Sequence, residues 1–257
     1  MFGIGFDVPT LAVRRKASGA AGPTLPALSG LIGLYDAADV GTLAQNSNGT
    51  GAVAIGDPVG HWASAGMGPV NVSQSITGRR PILQSDGSRY WFECDGSDDM
   101  LENTSVAVSP SFTIVMAVHV DVINNYTSGV FSLDAANDFQ IQSAHSSQMR
   151  FGVGASNLGF SMGAQSVDYA NQDLVMTFSL DAVAGTAVLR LNGAVVNTQT
   201  GYNGGLSATQ KMRFMVNRGA GNEVGGRLYR AAVWNGAANV EIAAAETWVG
   251  AGAGLSL

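Results

Sequence analysis

The chain has 257 residues, a formal net charge of −6 and a sequence pI near 4.9, so its surface repels nucleic-acid phosphates and nucleic-acid binding is disfavoured. Charged residues make up 12% of the chain, hydrophobic residues 46%, and 34 residues are glycine, which is typical of a turn-rich all-β protein. The single cysteine, Cys94, excludes an intramolecular disulfide and a thiolate metal cluster, and we expect it to pack as a small hydrophobic residue. No apolar run reaches the roughly 18 residues that cross a bilayer, so no membrane span is expected.

Residues 1–29 are predicted to form an extended N-terminal arm, because they contain three prolines and the flexible run ASGAAG. At about 3.3 Å per residue, such an arm extends on the order of 95 Å. Its first apolar residues alternate at period two, which suits a strand added to the sheet edge of another chain. These particle-anchoring candidates are Phe2, Ile4, Phe6 and Val8. A disordered tail is the alternative interpretation.

The basic residues of the arm follow its apolar residues, since Arg14-Arg15-Lys16 comes after the first four alternating positions. A secretory signal has the reverse order, with the positive charges first. We therefore expect no signal peptide.

From residue 30 onward, strand patterns recur at fairly even spacing and predict one domain over residues 30–257. The strand at 112–121 is expected to have one apolar face and one more polar face, the second including Thr113, Val115 and Ala117. Asn192-Gly193 lies between two strand patterns and is a strong β-hairpin signal. The predicted strands are 31–35, 90–94, 112–121, 174–181, 187–191, 194–196, 212–216 and 228–234.

The apolar period changes from two to about 3.6 at Asn239, which predicts one short C-terminal helix with Asn239 as its N-cap. Val240, Ala244 and Trp248 are expected to face the sandwich, and Gly250 is expected to end the helix. A helix this short must dock to be stable. Many short strands, tight turns and one late helix together predict an all-β fold, an antiparallel two-sheet sandwich.

Six segments of the chain, and the order in which they occur, resemble the concanavalin A-like, laminin-G-like jelly-roll domains of bacterial surface proteins and tailed-phage particles. The resemblance covers most of residues 30–257 and implies a jelly-roll sandwich that often binds carbohydrate. The segments are GLYDAAD (33–39), VGHWA (59–63), Arg80-Pro81, FECDGSDDML (92–101), LNG (191–193) and the last strand with its helix.

Glycosidases that share this sandwich place carboxylates on alternate residues of a strand, and Glu93, Asp95 and Asp98 imitate that pattern. Retaining hydrolysis needs two carboxyl groups about 5–5.5 Å apart. Gly96 starts a turn directly after Asp95, so the third acid is expected off this face, and we assign no catalytic residue and no cofactor. Asp95, Asp98 and Asp99 are weak Ca²⁺ candidates, because Ca²⁺ needs six or more oxygen ligands.

The remaining candidates for recognition are aromatic residues in predicted loops, where a flat ring adjoins amide donors and acceptors. The tryptophans lie in predicted strands or the helix and are expected in the core, and the histidines at 61, 119 and 145 lack metal-ligand spacing. The glycan-binding candidates are Asn124, Asn125, Tyr126, Tyr202 and Asn203.

A sandwich of extracellular type without a signal peptide needs another route out of the cell, and assembly into a particle released by lysis supplies one. The leading expectation is a structural protein of a phage or phage-like particle, such as a head spike, decoration protein or tail-fibre component. It would be made in the bacterial cytoplasm, bind other virion proteins through residues 1–29 and display residues 30–257 on the particle surface, in contact with host cell-surface polysaccharide.

A homo-oligomer is expected, and the resemblance favours a trimer. Two alternatives remain open. One is a stand-alone bacterial glycan-binding module, and the other is a glycoside hydrolase that uses Glu93 and Asp95.

Overall fold

The computed structural model describes residues 24–66, 68–122, 129–134, 139–143, 149–153, 171–202, 208–216 and 223–257. In these ranges the chain forms sixteen strands, one α-helix and two 3-10 helices, Val40–Thr42 and Thr77–Arg79. The strands are β1 (Leu31–Asp36), β2 (Leu43–Ala44), β3 (His61–Trp62), β4 (Val72–Ser73), β5 (Ile82–Ser85), β6 (Tyr90–Asp95), β7 (Leu101–Ala107), β8 (Phe112–Val122), β9 (Gly129–Asp134), β10 (Phe139–Ser143), β11 (Met149–Val153), β12 (Asp173–Asp181), β13 (Thr186–Leu191), β14 (Ala194–Thr200), β15 (Thr209–Phe214) and β16 (Gly225–Trp234). The helix is α1 (Asn239–Gly252).

The strands form two eight-stranded antiparallel sheets, which confirms the predicted all-β sandwich with one C-terminal helix. The first sheet has the order β14-β13-β12-β8-β16-β6-β5, and β1 pairs with the second half of β16. The order of the second sheet is β11-β10-β9-β15-β7-β4-β3-β2. The two strands at the centre of the first sheet, β8 and β16, therefore come from distant parts of the sequence.

Aromatic rings from both sheets meet in the core between them. Trp62 on β3 packs edge-on against Phe92 on β6, with ring centroids 4.5 Å apart. Tyr35 on β1 lies 5.1 Å from Trp62 and 5.3 Å from Phe214 on β15. The Tyr35 hydroxyl donates to the carbonyl of Val70, and complete burial raises the pKa of this phenol. These contacts join the two sheets and satisfy the polar end of the buried tyrosine.

A second apolar cluster lies on the outer face of the first sheet, under α1. Thr113, Val115 and Ala117 on β8 are fully buried there, although the sequence analysis predicted that they belong to a more polar face. The more polar face is buried as well, because a strand covered by a second sheet on one side and by a helix on the other is buried on both faces. Val175 on β12 is buried by the same helix.

The helix is rotated relative to its predicted orientation. Its N-cap is Ala238 and not Asn239, Val240 is 79% exposed, and Ala244 is also exposed. Because the larger side chains decide which face docks, the helix buries a stripe that shares only Trp248 with the predicted one. The buried apolar side chains of α1 are Ile242, Ala245, Trp248 and Val249.

The helix also ends later than predicted. Gly250 lies inside α1, and the left-handed residue beyond its end is Gly254, with a φ of +76°. The amide of Gly254 donates to the carbonyl of Ala251, and the amide of Leu255 donates to the carbonyl of Gly250. This pair of bonds is the Schellman arrangement, in which a glycine after the last helical turn satisfies the final carbonyls.

Several predictions about single residues are confirmed. Asn192 and Gly193 have φ values of 48° and 80° and form the two-residue turn between β13 and β14. Cys94 is 4% exposed and belongs to the core. All four tryptophans are buried as expected, with exposures of 9% or less: Trp62, Trp91, Trp234 and Trp248.

The last residues of the predicted arm lie against the domain. Leu28 packs on the apolar cluster under α1, and the amide of Ser29 donates to Glu241 Oε1 at 2.6 Å. The anchoring candidates Phe2, Ile4, Phe6 and Val8 lie outside the described residues. In the described part of the chain, no helix is long and apolar enough to cross a membrane.

Candidate functional site

A pocket of about 460 Å³ opens at the end of β6, next to β8 and β16 in the first sheet. Glu93 and Asp95 come from β6, Asp99 from the turn that follows, and Asp121 from the end of β8. Seven residues line the pocket: Ile82, Glu93, Cys94, Asp95, Asp99, Asp121 and Gly225. We call this cavity the acidic pocket, because four of its seven lining residues carry carboxyl groups.

A β-bulge at the start of β16 makes the space for this pocket. Gly225 lies opposite Asp95 on one side and Val122 on the other, and the register shifts between Gly225 and Gly226. Gly226 has a φ of +142°, and a Cβ there would overlap the carbonyl oxygen of His119. Glycine is thus required at position 226, and the absent side chain of Gly225 leaves the floor of the pocket open.

Two of the four carboxylates have basic side chains as neighbours. Glu93 Oε2 accepts a hydrogen bond from Trp91 Nε1 at 2.6 Å and lies 3.6 Å from Arg227 Nε. Asp121 Oδ1 lies 3.1 Å from Nε2 of His119. The charge of Glu93 is therefore partly neutralised by Arg227, and the position of Asp121 is fixed by His119.

The other two carboxylates are held by backbone amides. Asp95 Oδ1 accepts from the amides of Ser97 and Asp98, which fixes the turn. Asp99 is 7% exposed, and its Oδ2 accepts from the amide of Asp95 at 3.0 Å. Burial, together with the neighbouring charges of Asp95 and Asp98, raises the pKa of Asp99 to about 6. The interpretation of residues 95–99 as a turn agrees with the structure.

A chain of polar side chains holds Asp121 in place. The two ring nitrogens of His119 lie within hydrogen-bond distance of carboxylates, Nε2 at 3.1 Å from Asp121 and Nδ1 at 2.9 Å from Asp173. Asp173 also accepts from the Tyr229 hydroxyl and forms an ion pair with Arg89, each at 2.8 Å. Burial and the hydrogen bond to Asp173 raise the pKa of Tyr229 to about 12. This network fixes the rotamer of Asp121 through neighbours on four strands or their ends.

The weak Ca²⁺ candidates lie close together, as the sequence suggested. Carboxylate oxygens of Asp95, Asp98 and Asp99 lie within 4.8 Å of one another. Asp98 Oδ2 lies 3.5 Å from Arg79 Nε, and Asp98 does not line the acidic pocket. With one ligand oxygen from each, the three carboxylates supply fewer than the six or more oxygens that Ca²⁺ needs, so the Ca²⁺ site stays a prediction.

The aromatic glycan-binding candidates do not form a surface in the described residues. Tyr202 is 9% exposed and packs in the core between the sheets, so its ring offers no open face for a sugar. This corrects the expectation that Tyr202 is an exposed loop aromatic. Tyr202 follows β14, and its ring is buried because it packs among the apolar side chains between the sheets. Asn124, Asn125, Tyr126 and Asn203 lie outside the described residues. Trp91 is covered by Arg227, whose guanidinium carbon lies 4.9 Å from the indole centroid.

Sequence reasoning singled out Glu93, Asp95 and Asp99 but missed Asp121 and Gly225. Two signals pointed to these positions: the polar His119 and Asp121 at the end of an otherwise apolar strand, and the glycine pair that opens β16. Neither signal reveals which strands are neighbours, and that pairing brings Gly225 beside Asp95.

A second pocket of about 530 Å³ lies between α1 and the turn of the β13–β14 hairpin. Its floor is an ion pair in which Arg190 Nε and Nη2 donate to the carboxylate of the buried Glu246 at 2.7 and 3.0 Å. Thr177 also donates to Glu246 Oε1, at 2.7 Å. The charges in this pocket neutralise each other, so the acidic pocket is the stronger candidate for ligand binding.

Comparison with solved structures supports the fold. The chain is similar to domain 4 of AbnA, an extracellular GH43 arabinanase of Geobacillus stearothermophilus solved with arabinotriose, with a TM-score of 0.55 and 11% identity over 86% of this chain and 96% of that domain. It is also similar to part of the Trypanosoma rangeli sialidase, with a TM-score of 0.55 and 11% identity over 88% of this chain. This chain covers 33% of the sialidase.

At such identities the likeness shows a shared β-sandwich fold and nothing further. No known protein-family model matches the sequence, and no curated protein matches it.

Proposed function

We propose that the domain is a non-catalytic glycan-binding module and that the acidic pocket is its binding site. The observation that carries the proposal is the chemistry of the lining, where four carboxylates converge on a cavity of about 460 Å³. Sugar hydroxyls are hydrogen-bond donors, and bonds from a neutral donor to a carboxylate are stronger than bonds between two neutral groups. The volume lies within the range of small-ligand sites.

The shared fold supports a sugar as the ligand class, since the similar domain of AbnA was solved with arabinotriose. Preorganisation supports it as well. Asp95 is held by two backbone amides and Asp121 by His119, so both carboxylates are fixed before a ligand arrives.

We propose binding without hydrolysis. A retaining glycosidase needs one carboxyl group as the acid and a second as the nucleophile. In this pocket Glu93 accepts from the Trp91 indole and adjoins Arg227, while Asp95 caps a turn, so both candidate carboxylates have structural partners. The raised pKa belongs to Asp99, which is not part of the predicted pair.

We also propose, from the sequence, that the module is displayed on a phage or phage-like particle through residues 1–29. The support for this part is the alternating apolar pattern at Phe2, Ile4, Phe6 and Val8 and the resemblance to jelly-roll domains of phage particles. A glycan-binding domain carried by a particle would bring that particle to the surface polysaccharide of a host.

A glycan array probed with the full chain and with Gly225→Val tests the binding site. Valine suits a strand and places its methyl groups on the floor of the pocket, so the variant should fold and lose at least about tenfold in affinity. Asp98→Asn is the matched control, because Asp98 belongs to the same turn but does not line the pocket. Equal binding by Gly225→Val and the parent would place the glycan elsewhere, and release of reducing ends by the parent would exclude a purely binding role.

A further inference from the structure

We infer that the groove between α1 and the β13–β14 hairpin receives the N-terminal segment of a second copy of this chain. The groove consists of the second pocket, of about 530 Å³, and the exposed residues beside it, and we call it the hairpin groove. This inference does not depend on glycan binding, and it gives the arm a docking surface. The occupant is residues 1–8, whose large apolar side chains are Phe2, Ile4, Phe6 and Val8.

The solvent-facing side of α1 is uncharged and largely apolar. A helix on the surface of a domain ordinarily carries polar and charged side chains on this side. In α1 the carboxylate of Glu246 is buried against Arg190. The other acid of the helix, Glu241, accepts from the amide of Ser29. The exposed residues of α1 are Asn239, Val240, Ala243, Ala244 and Thr247. This composition is typical of a helix face that another segment covers.

The opposite wall of the hairpin groove is also exposed and apolar. Val195 pairs with Arg190 across the hairpin, so its side chain lies on the same side of the first sheet as the Arg190–Glu246 ion pair. Val195 is 55% exposed, and Leu257, which lines the pocket, is 42% exposed. Exposed apolar residues that flank a cavity mark a surface for protein–protein contact.

The edge of the first sheet lies beside the hairpin groove and suits an added strand. β14 ends the strand order of this sheet, and Val195, Thr198 and Thr200 are exposed on it. Natural sheet edges are commonly protected by charged side chains, proline or a bulge. β14 contains neither a charge nor a proline, and its register with β13 shifts only between Leu189 and Arg190. A strand paired with β14 would place every second side chain on the side of the hairpin groove.

Residues 1–8 match this surface in pattern. In an extended strand the four apolar side chains lie on one face, and Gly3, Gly5 and Asp7 lie on the other. The large side chains can therefore enter the hairpin groove together. Because the ion pair on the floor of the groove is neutral overall, they meet no unbalanced charge there.

Charge complementarity also brings the arm to the domain of another copy. The arm carries Arg14-Arg15-Lys16 against one acid, Asp7, whereas the whole chain has a formal net charge of −6. The acidic excess thus belongs to residues 30–257. Opposite charges of this kind attract the arm of one copy to the domain of the next.

The spacing along the chain favours a second copy over the arm of the same chain. The amide of Ser29 contacts Glu241 in the first turn of α1, so the chain enters the domain beside this helix. Residues 9–23 separate residues 1–8 from the first described residue and extend up to about 50 Å. The helix is only about 21 Å long. Such a spacer exceeds what a return to its own groove requires and can reach a neighbouring copy.

Photocrosslinking of the full chain tests the inference. A photoreactive amino acid replaces Ile4, a denaturing gel separates crosslinks between copies from crosslinks within one copy, and mass spectrometry identifies the joined peptides. We expect crosslinks between copies that join position 4 to residues 193–195, 240–247 or 257. Crosslinks within one copy only, crosslinks between copies to other parts of the domain, or no crosslink at all would each overturn the inference.

Two matched substitutions in the crosslinking chain separate docking from chance encounter. Val195→Lys and Ile55→Lys change the charge equally at residues that are 55% and 56% exposed. Ile55 lies in the loop between β2 and β3, which bonds to β5 at the other end of the first sheet. Because lysine on an edge strand opposes pairing, Val195→Lys should lower the yield of crosslinks between copies at least about tenfold. Ile55→Lys should leave it within about twofold. Equal yields in both variants would overturn docking in the hairpin groove.

The glycan array keeps this inference distinct from the proposed function. Neither Val195 nor Ile55 lines the acidic pocket, so both variants should bind the sugars of the array as the parent does. Sugar binding together with crosslinks within one copy only would overturn the docking of a second copy and leave the glycan-binding proposal in place.

Discussion

At the residue scale, Asp99 shows how burial and function are linked. The residue is 7% exposed, and this burial, together with the charges of Asp95 and Asp98, raises the pKa of Asp99 from 3.8 to about 6, although the hydrogen bond from the amide of Asp95 acts in the opposite direction. A carboxylate that is costly to ionise in the free protein is stabilised when a donor or a cation enters the pocket. The residue thus lowers the stability of the empty domain at neutral pH and favours a bound ligand.

Asp99→Asn should stabilise the domain at neutral pH. Because the pKa of Asp99 is higher in the folded chain than in the unfolded one, its stabilising contribution is present below about pH 4 and is lost as the pH rises through about 6. At 1.36 kcal/mol per pKa unit, the gain of the neutral asparagine at pH 7.5 is at most about 3 kcal/mol. Urea unfolding of the parent and of Asp99→Asn at pH 7.5 and pH 4 measures this gain in stability. A variant less stable than the parent at pH 7.5, or a gain of equal size at pH 4, would contradict this reasoning.

Sequence reasoning found part of the site at this scale. Glu93, Asp95 and Asp99 lie within seven residues of one another, so a local pattern reveals them. Asp121 and Gly225 reach the same cavity only because β16 lies between β6 and β8, and that order is not written in any local pattern. Sequence reasoning also selected Tyr202 as a glycan-binding candidate, because the loop-like sequence around it does not reveal that its ring is buried.

At the scale of elements, the bulge at the start of β16 shapes the acidic pocket. Gly225 and Gly226 are adjacent but meet different constraints. A Cβ on Gly225 would be 3.6 Å from its nearest neighbours, an ordinary contact, whereas a Cβ on Gly226 would overlap the carbonyl of His119. The second glycine keeps the strands paired and the first keeps the cavity open.

Alanine substitutions at these two positions should therefore differ. Gly226→Ala is expected to lower the free energy of unfolding by more than about 2 kcal/mol, because it combines strain at a φ of +142° with an overlap against backbone. Gly225→Ala should change it by less than about 1 kcal/mol. Thermal and urea unfolding of both variants provide the comparison, and similar stabilities would show that the bulge is not the rigid feature described above.

The docking of α1 depends on a buried polar contact as well as on its apolar face. Glu246 is 3% exposed and accepts from Thr177 on β12 and from Arg190 on β13, which ties the helix to two strands. A buried carboxylate without its cationic partner is strongly destabilising, whereas replacing both charges with apolar side chains of similar volume is often neutral.

Arg190→Met is expected to lower the free energy of unfolding by about 2–4 kcal/mol, since it leaves Glu246 buried without its cation. The double variant Arg190→Met/Glu246→Met should recover most of that loss. Chemical denaturation of the parent, both single variants and the double variant completes the cycle. Additive losses in the double variant would show that the two residues act independently.

Sequence patterns predicted strands better than they predicted the helix face. The long strands at β8 and β12 and the hairpin at Asn192-Gly193 follow from local periodicity and turn chemistry. The rotation of α1 does not, because the alanine-rich helix is nearly as apolar on one side as on the other. Contacts of Ile242 and Trp248 with the sheet decide which side docks.

At the scale of the whole molecule, the two-sheet sandwich was predictable from composition and turn spacing, and the relation of residues 1–29 to the domain remains a prediction. Leu28 and Ser29 contact the cluster under α1 and Glu241, so the folded part begins a little before residue 30. The assembly role assigned to the arm therefore concerns the residues ahead of these contacts.

We expect the full chain to form a defined homo-oligomer, with a trimer favoured, and a chain that starts at residue 24 to be monomeric. The reason is that the alternating pattern of Phe2, Ile4, Phe6 and Val8 suits a strand added to the sheet edge of another chain. Light scattering of both chains measures their masses. Two monomers of the expected masses would remove the physical support for anchoring through the arm.

A titration of the isotope-labelled protein with the tightest-binding glycan from the array, followed by amide chemical shifts, would locate the binding site. Binding in the acidic pocket predicts that the largest shift changes cluster at residues 93–99, 119–122 and 225–227, and that they disappear in Gly225→Val. Shift changes centred on Arg190 and Asn192, or a spectrum that does not change at saturating sugar, would contradict glycan binding in the acidic pocket.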